Sequence, residues 1–221
     1  MIRQLRHPIV TIVLATGLVW SLVTLARFLP AYHLPGNQQG YEPVQPIAYS
    51  HRLHAGELQI PCLYCHYAAE QSRHAGIPAA SVCMNCHRYV TASLGAIRAE
   101  DDAAQKENRK PRPVTSPELE KLYTALALDA RMQADAARAM QPIAWTKVHN
   151  LPDFVYFDHR AHVTAQITCQ RCHGPVETME RMRQVSDLSM GWCVNCHREV
   201  NQTGVEGRKV RASLDCATCH Y

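Results

Sequence analysis

All ten cysteines of the chain fall in five pentapeptides of the form Cys-x-x-Cys-His: Cys62 to His66, Cys83 to His87, Cys169 to His173, Cys193 to His197 and Cys216 to His220. Two thiolates three positions apart on a helical turn can form thioethers to both vinyl groups of one haem, and the next histidine can ligate its iron. The expected chemistry is covalent attachment of five haems c. Cys62, Cys65, Cys83, Cys86, Cys169, Cys172, Cys193, Cys196, Cys216 and Cys219 are the thioether residues, and His66, His87, His173, His197 and His220 the proximal ligands. Zinc sites join Cys-x-x-Cys units two at a time, which five units cannot satisfy, and zinc does not explain a histidine after every second cysteine. A disulfide scaffold staples distant segments, whereas these cysteines are all local pairs.

Eight further histidines lie outside the motifs: His7, His33, His51, His54, His74, His149, His159 and His162. Four occur in two aromatic-x-His-x-x-His segments, Tyr49 to His54 and Phe157 to His162. Residues three apart share a helix face yet splay enough to reach different irons. His51, His54, His159 and His162 are therefore the expected distal ligands. For the fifth iron His149 is the first choice and Met190 the alternative, a difference that matters because thioether ligation raises reduction potential relative to bis-histidine ligation. Met84 and Met179 read as packing residues, and His74 is a reserve. His33 lies near the membrane and His7 on its far side.

These groups sit in a duplicated framework. Each aromatic-x-His-x-x-His segment is followed by two motifs in the same order and at similar spacing, the second ending Asn-Cys-His-Arg in both copies, and the fifth motif is appended. The expected organisation is a cytoplasmic N-terminus (1–7), a transmembrane anchor (8–29), a linker (30–48), a two-haem module (49–99), a helical insert (100–144) and a three-haem module (145–221). Within the insert, a polar segment from Arg98 to Pro113 precedes a helix expected from Ser116 to Met140. Its N-cap is Ser116, Pro117 is its first residue, and Leu119, Leu122 and Leu126 recur at helical spacing.

With 7% aromatic residues and only three Phe among 221, the chain makes a thin conventional core. Five porphyrins would supply the missing apolar bulk, so the expected fold is a multihaem c-type cytochrome, mostly α with long loops around the haems and one N-terminal transmembrane helix. The apo chain should be largely unfolded. The formal charge of +4 is offset by the haem propionates, leaving the loaded protein near neutral. The basic residues are scattered, without the patch that nucleic-acid binding requires.

The stretch Pro8 to Leu29 is apolar until Arg27. At 1.5 Å per residue it reaches about 33 Å, enough to cross a hydrocarbon core of about 30 Å. A cleaved secretory signal shares the basic start and apolar run, but no small-x-small cleavage site follows, which favours an uncleaved anchor. Arg3 and Arg6 before the run place the N-terminus in the cytoplasm and all that follows outside. Arg27 can snorkel to the headgroups, and Phe28 and Tyr32 suit the interface.

The paired histidine segments resemble the distal-ligand segments of tetrahaem class III cytochromes. A more specific resemblance rests on His51-Arg-Leu-His54-Ala-Gly, Gly76-Ile-Pro78 before Cys83-Met-Asn-Cys86-His87, His149-Asn-Leu-Pro-Asp-Phe154 and Ser189-Met-Gly-Trp-Cys193. With the 2+3 arrangement and N-terminal anchor, these phrases resemble the pentahaem cytochrome c subunit of bacterial alternative complex III. The resemblance covers nearly the whole chain, least in Ala96 to Gln141. It implies an electron-transfer subunit, not itself an enzyme, in the bacterial cytoplasmic membrane, single-pass with its haem domain periplasmic. The implied partners are an iron–sulfur subunit, multi-spanning quinol-binding subunits and a monohaem cytochrome.

Two other readings compete. A multihaem reductase binding nitrite or a similar oxyanion needs an open haem, usually on a modified motif, whereas all five motifs here end in His and distal candidates exist for every site. A membrane-anchored multihaem quinol dehydrogenase feeding a periplasmic reductase shares the anchor but differs in haem count and in the quoted phrases.

Overall fold

The computed structural model describes residues 2–28, 38–129 and 131–220, with side chains described for 8–27, 38–129 and 131–220. His33, Tyr32 and the side chains of Arg3, Arg6, His7 and Phe28 lie outside these. The N-terminal helix is α1 (Ile2–Phe28), whose exposed side chains from Ile9 to Leu25 are mostly apolar. Its segment Pro8–Arg27 is long and apolar enough to cross a membrane. Within that segment the hydroxyls of Thr16 and Thr24 donate to the carbonyls of Ile12 (2.6 Å) and Trp20 (3.0 Å), so neither is left bare among apolar side chains.

The remainder is built from short helices joined by long loops, and among the described residues the only β pairing is isolated bridges. Every Cys-x-x-Cys pair lies on a helix: α2 (Cys62–Cys65), α4 (Ala80–His87), α8 (Cys169–His173), α9 (Met190–Thr203) and α10 (Cys216–Cys219). Side-chain caps start several elements. Ser189 accepts from Trp192 N at the head of α9, and Asp215 from Ala217 N at the head of α10. Asp158 accepts from Arg160 N to open α7 (His159–Thr164), which carries the second histidine pair. The first pair lies on a π-helical turn, Arg52–Glu57, preceded by His51 and closed by Leu58 N donating to Leu53 O at 2.9 Å.

Conventional core is scarce. Met84, Leu122 and Tyr123 form its central cluster, packed by Ile47, Leu119, Leu126 and Ile143 among others. The cluster joins α4 to α6 (Pro117–Ala125), and the Tyr123 hydroxyl donates to His87 O at 2.6 Å. Met179 is likewise buried.

The polar segment from Arg98 carries much of α5 (Leu94–Lys106), capped by Ser93. Beyond it, Glu100 accepts from Arg109 and from Arg112 N, tying the following loop back to the helix. One expectation for the insert needs correction. The helix opened by Ser116 ends at Ala125 and does not continue to Met140. Ala127 turns into the left-handed region at φ +51°. Asp129 then accepts from Arg131 N and Gln133 N, a local turn that competes with helix.

The two repeated units exchange elements. The π-helical turn of the first unit packs on the 3₁₀ turn Val176–Thr178, just beyond the third motif, and Arg52 N donates to Met179 O at 2.8 Å. Reciprocally, α7 of the second unit packs on α3 (Ala68–Gln71), just beyond the first motif, and His159 N donates to Arg73 O at 3.2 Å. Gly56 marks the first contact, since a Cβ there would collide with the Glu177 carbonyl.

Candidate haem-binding site

Two rings fix the histidine pairs in the same way in both units. Tyr49 stacks on His54 (centroids 4.4 Å, planes 22° apart) and meets His51 edge-on (4.9 Å, 82°). Phe157 stacks on His162 (4.6 Å, 29°) and meets His159 edge-on (4.8 Å, 87°). The aromatic residue before each pair thus sets two imidazoles at once.

Opposite these imidazoles lie motif histidines. His54 faces His87 with ring centroids 6.0 Å apart, His162 faces His197 at 6.1 Å, and His159 faces His173 at 6.4 Å with planes 10° apart. An ion bound at about 2 Å by one nitrogen of each ring would separate the centroids by about 6.3 Å. The three spacings fit an iron held between each pair.

The other ring nitrogen of most of these histidines is already engaged. Nδ1 is at 2.8 Å from a backbone carbonyl in His54 (Ser50), His66 (Gly76), His87 (Val90), His159 (Arg73) and His162 (Asp158), and at 2.6 Å in His197 (Ser213). Donation through Nδ1 fixes the tautomer that leaves the Nε2 lone pair for a metal. Burial favours the neutral ring that ligation needs. It lowers the pKa of His162, pulls that of His51 down to about 4, and pulls that of His173 down to about 3. The Nδ1 of His51 is buried without a partner, and after burial the neighbouring His66 adds to the lowering of its pKa.

The motifs adjoin one another in an order that differs from the sequence. Asn85 Nδ2 of the second donates to the Tyr64 hydroxyl of the first at 3.0 Å. The first meets the third where Cys62 adjoins Cys169, whose thiol pKa rises through burial and then through that neighbour. Arg171 of the third pairs with Glu199 on the helix of the fourth at 2.6 Å. The His197 contact with Ser213 and the double hydrogen bond of Asn201 with Ala212 join the fourth to the approach to the fifth. The order is second, first, third, fourth, fifth.

The alternatives to haem find less support in this geometry. Each Cys-x-x-Cys pair sits on one helical turn, and among the described residues no group of three or more His, Cys, Asp or Glu gathers to hold a metal ion. Cysteine pairs on helices with imidazoles facing across a gap suit a planar macrocycle attached at its edge and ligated through its centre.

Neither candidate for the fifth distal ligand faces His220 in the way the other pairs face each other. His149 Nε2 lies 3.2 Å from His173 Nδ1. Met190, at the head of α9, is 69% exposed. The ring stacked on His220 is Phe154, with centroids at 5.8 Å. Sequence reasoning did not single out the carbonyl acceptors or the roles of Tyr49 and Phe157 in seating the imidazoles. The place of an aromatic residue two positions before each pair was the available signal for the latter.

The fold and these paired sites define a multihaem c-type cytochrome, mostly helical, with an apolar N-terminal helix that could span a membrane. Residues 155–221 match the family of cytochrome c7 and related cytochrome c. The chain is also similar to the multihaem cytochrome c subunit of menaquinone reductase from Nitratidesulfovibrio vulgaris (strain Hildenborough), at 24% identity over 196 residues, covering 80% of this chain and 76% of that protein.

Proposed function

We propose that the chain carries five covalent haems c, one per motif, and serves as an electron-relay subunit of a membrane complex of the alternative complex III type. The observation that carries the reading is the set of three histidine pairs at 6.0 to 6.4 Å, each joining a motif histidine to one of the paired-histidine segments. When bound, each haem c can take up and pass on one electron. The two cysteines of each motif would attach it, and His66, His87, His173, His197 or His220, together with a second side chain, would ligate its iron. His54, His159 and His162 serve the second, third and fourth motifs, and His51 serves the first by repeat symmetry and its proximity to His66. Met190 is taken as the fifth distal ligand. It starts the helix bearing Cys193, beside Cys219, whereas the Nε2 of His149 is occupied by His173.

In this reading the chain relays electrons and the quinol chemistry belongs to its partner subunits. Its haem domain lies on the periplasmic face of the bacterial cytoplasmic membrane, held by Pro8 to Leu29. An iron–sulfur subunit, multi-spanning quinol-binding subunits and a monohaem cytochrome are its partners. The decisive experiment is to tag the C-terminus, extract in mild detergent and identify the bound proteins by mass spectrometry. Recovery with a large iron–sulfur subunit and multi-spanning proteins supports the reading. Recovery alone, or with only a periplasmic reductase, favours an anchored quinol dehydrogenase.

The similarity to a menaquinone reductase subunit supports a second reading, in which electrons run toward the quinone. Assaying the recovered complex in both directions, with a quinol and with a reduced cytochrome, separates the two.

A further inference from the structure

We propose that His149 is a positioning residue for His173, accepting the hydrogen bond that elsewhere in this molecule is taken by a backbone carbonyl. The proposal rests on the reading that the third motif carries a haem.

The geometry has three parts. First, the His149 and His173 rings are nearly perpendicular (79°) with centroids 4.4 Å apart, too close for an ion between them, whereas the facing pairs stand at 6.0 to 6.4 Å. Second, the contact joins Nε2 of His149 to Nδ1 of His173 at 3.2 Å. Nδ1 is the nitrogen that His66, His87 and His197 direct at the carbonyls of Gly76, Val90 and Ser213. Third, His159 faces His173 across the gap of 6.4 Å, so the three rings form a series with His173 in the middle.

A proximal imidazole needs an acceptor at Nδ1 to fix its tautomer and strengthen its donation to the metal. At three other motifs the main chain supplies it. At the third, His149 supplies it, beside buried Val148. An imidazole acceptor makes His173 a stronger donor, which lowers the reduction potential of the iron it holds.

The test uses the full-length, haem-loaded protein in its complex, with His149→Leu and His149→Gln, read by resonance Raman, EPR and redox titration. The expected result for His149→Leu is that every iron stays six-coordinate and low-spin while one midpoint potential moves upward. His149→Gln, whose amide oxygen can accept, should return most of that shift. One five-coordinate high-spin haem per chain in either variant would make His149 an iron ligand and overturn the proposal. Unchanged potentials in His149→Leu would reduce it to packing and overturn it equally. Should His149→Leu fail to accumulate, the spin state of His149→Gln decides between ligand and positioning residue. Mass spectrometry of the wild-type peptide spanning Cys169 to His173 tests the underlying reading separately, since a peptide without haem removes the premise itself.

Discussion

At the scale of the residue, the most consequential groups are the rings that face one another. His54 and His162 occupy equivalent places in the two repeats, each opposite the second motif of its own unit. Replacing either with alanine should convert one low-spin haem to high-spin while covalent attachment persists, since the thioethers form through cysteines elsewhere. Electron paramagnetic resonance with a haem stain on a denaturing gel checks both halves of that statement. The rings behind these histidines invite a subtler change. Tyr49→Leu or Phe157→Leu removes stacking worth about 0.5–1.5 kcal/mol, and should broaden the low-spin signals of two haems together because each ring touches two imidazoles. A change confined to one haem would refute the shared-seat account. The positions of the cysteines and histidines were legible in the sequence because attachment chemistry fixes their spacing. The Nδ1 acceptors were not, because a backbone carbonyl such as Gly76 O or Ser213 O carries no side-chain signature.

At the scale of the element, caps and a small apolar cluster fix what the haems do not. Ser116 accepts from Leu119 N at the start of α6, and Ser116→Ala should cost about 1 kcal/mol. Leu122 is only 3% exposed at the centre of the cluster with Met84 and Tyr123, and Leu122→Ala should cost about 2–5 kcal/mol. Chemical denaturation of the haem-loaded protein measures both, with Ser116→Ala the milder. The start of α6 was readable from Ser-Pro followed by two glutamates. Its end was not, because Leu126 continues the helical spacing while the turn made by Ala127 and Asp129 depends on local hydrogen bonding that outweighs it. In α5, Arg98 to Lys106 reads as a polar segment because few of its residues are apolar. Its helix instead rests on the Ser93 cap and small alanines, of which Ala104 is buried at 1% exposure.

At the scale of the whole molecule, composition points to a thin conventional core, and the central cluster of Met84, Leu122 and Tyr123 is small. The intact mass of the purified chain should exceed that of the polypeptide by five haems, and any smaller increment would revise the count. The duplication was visible in the sequence, but the exchange of elements between its halves was not. Contacts between Arg52 and Met179, or His159 and Arg73, join residues too far apart for any local pattern to announce.

That exchange has a bearing on how the molecule is made. A ribosome delivers the first histidine pair long before the surface around Val176 to Met179 on which it rests, and the first motif waits equally for α7. Any haem joined before synthesis is complete would sit on a chain that cannot yet close over it, a half-dressed polypeptide. A version ending at residue 144 should acquire haem at its two motifs and still be cut rapidly by protease, while the full chain resists. Maturation is a handshake completed by the last arrival, and the two halves inherit each other's defects.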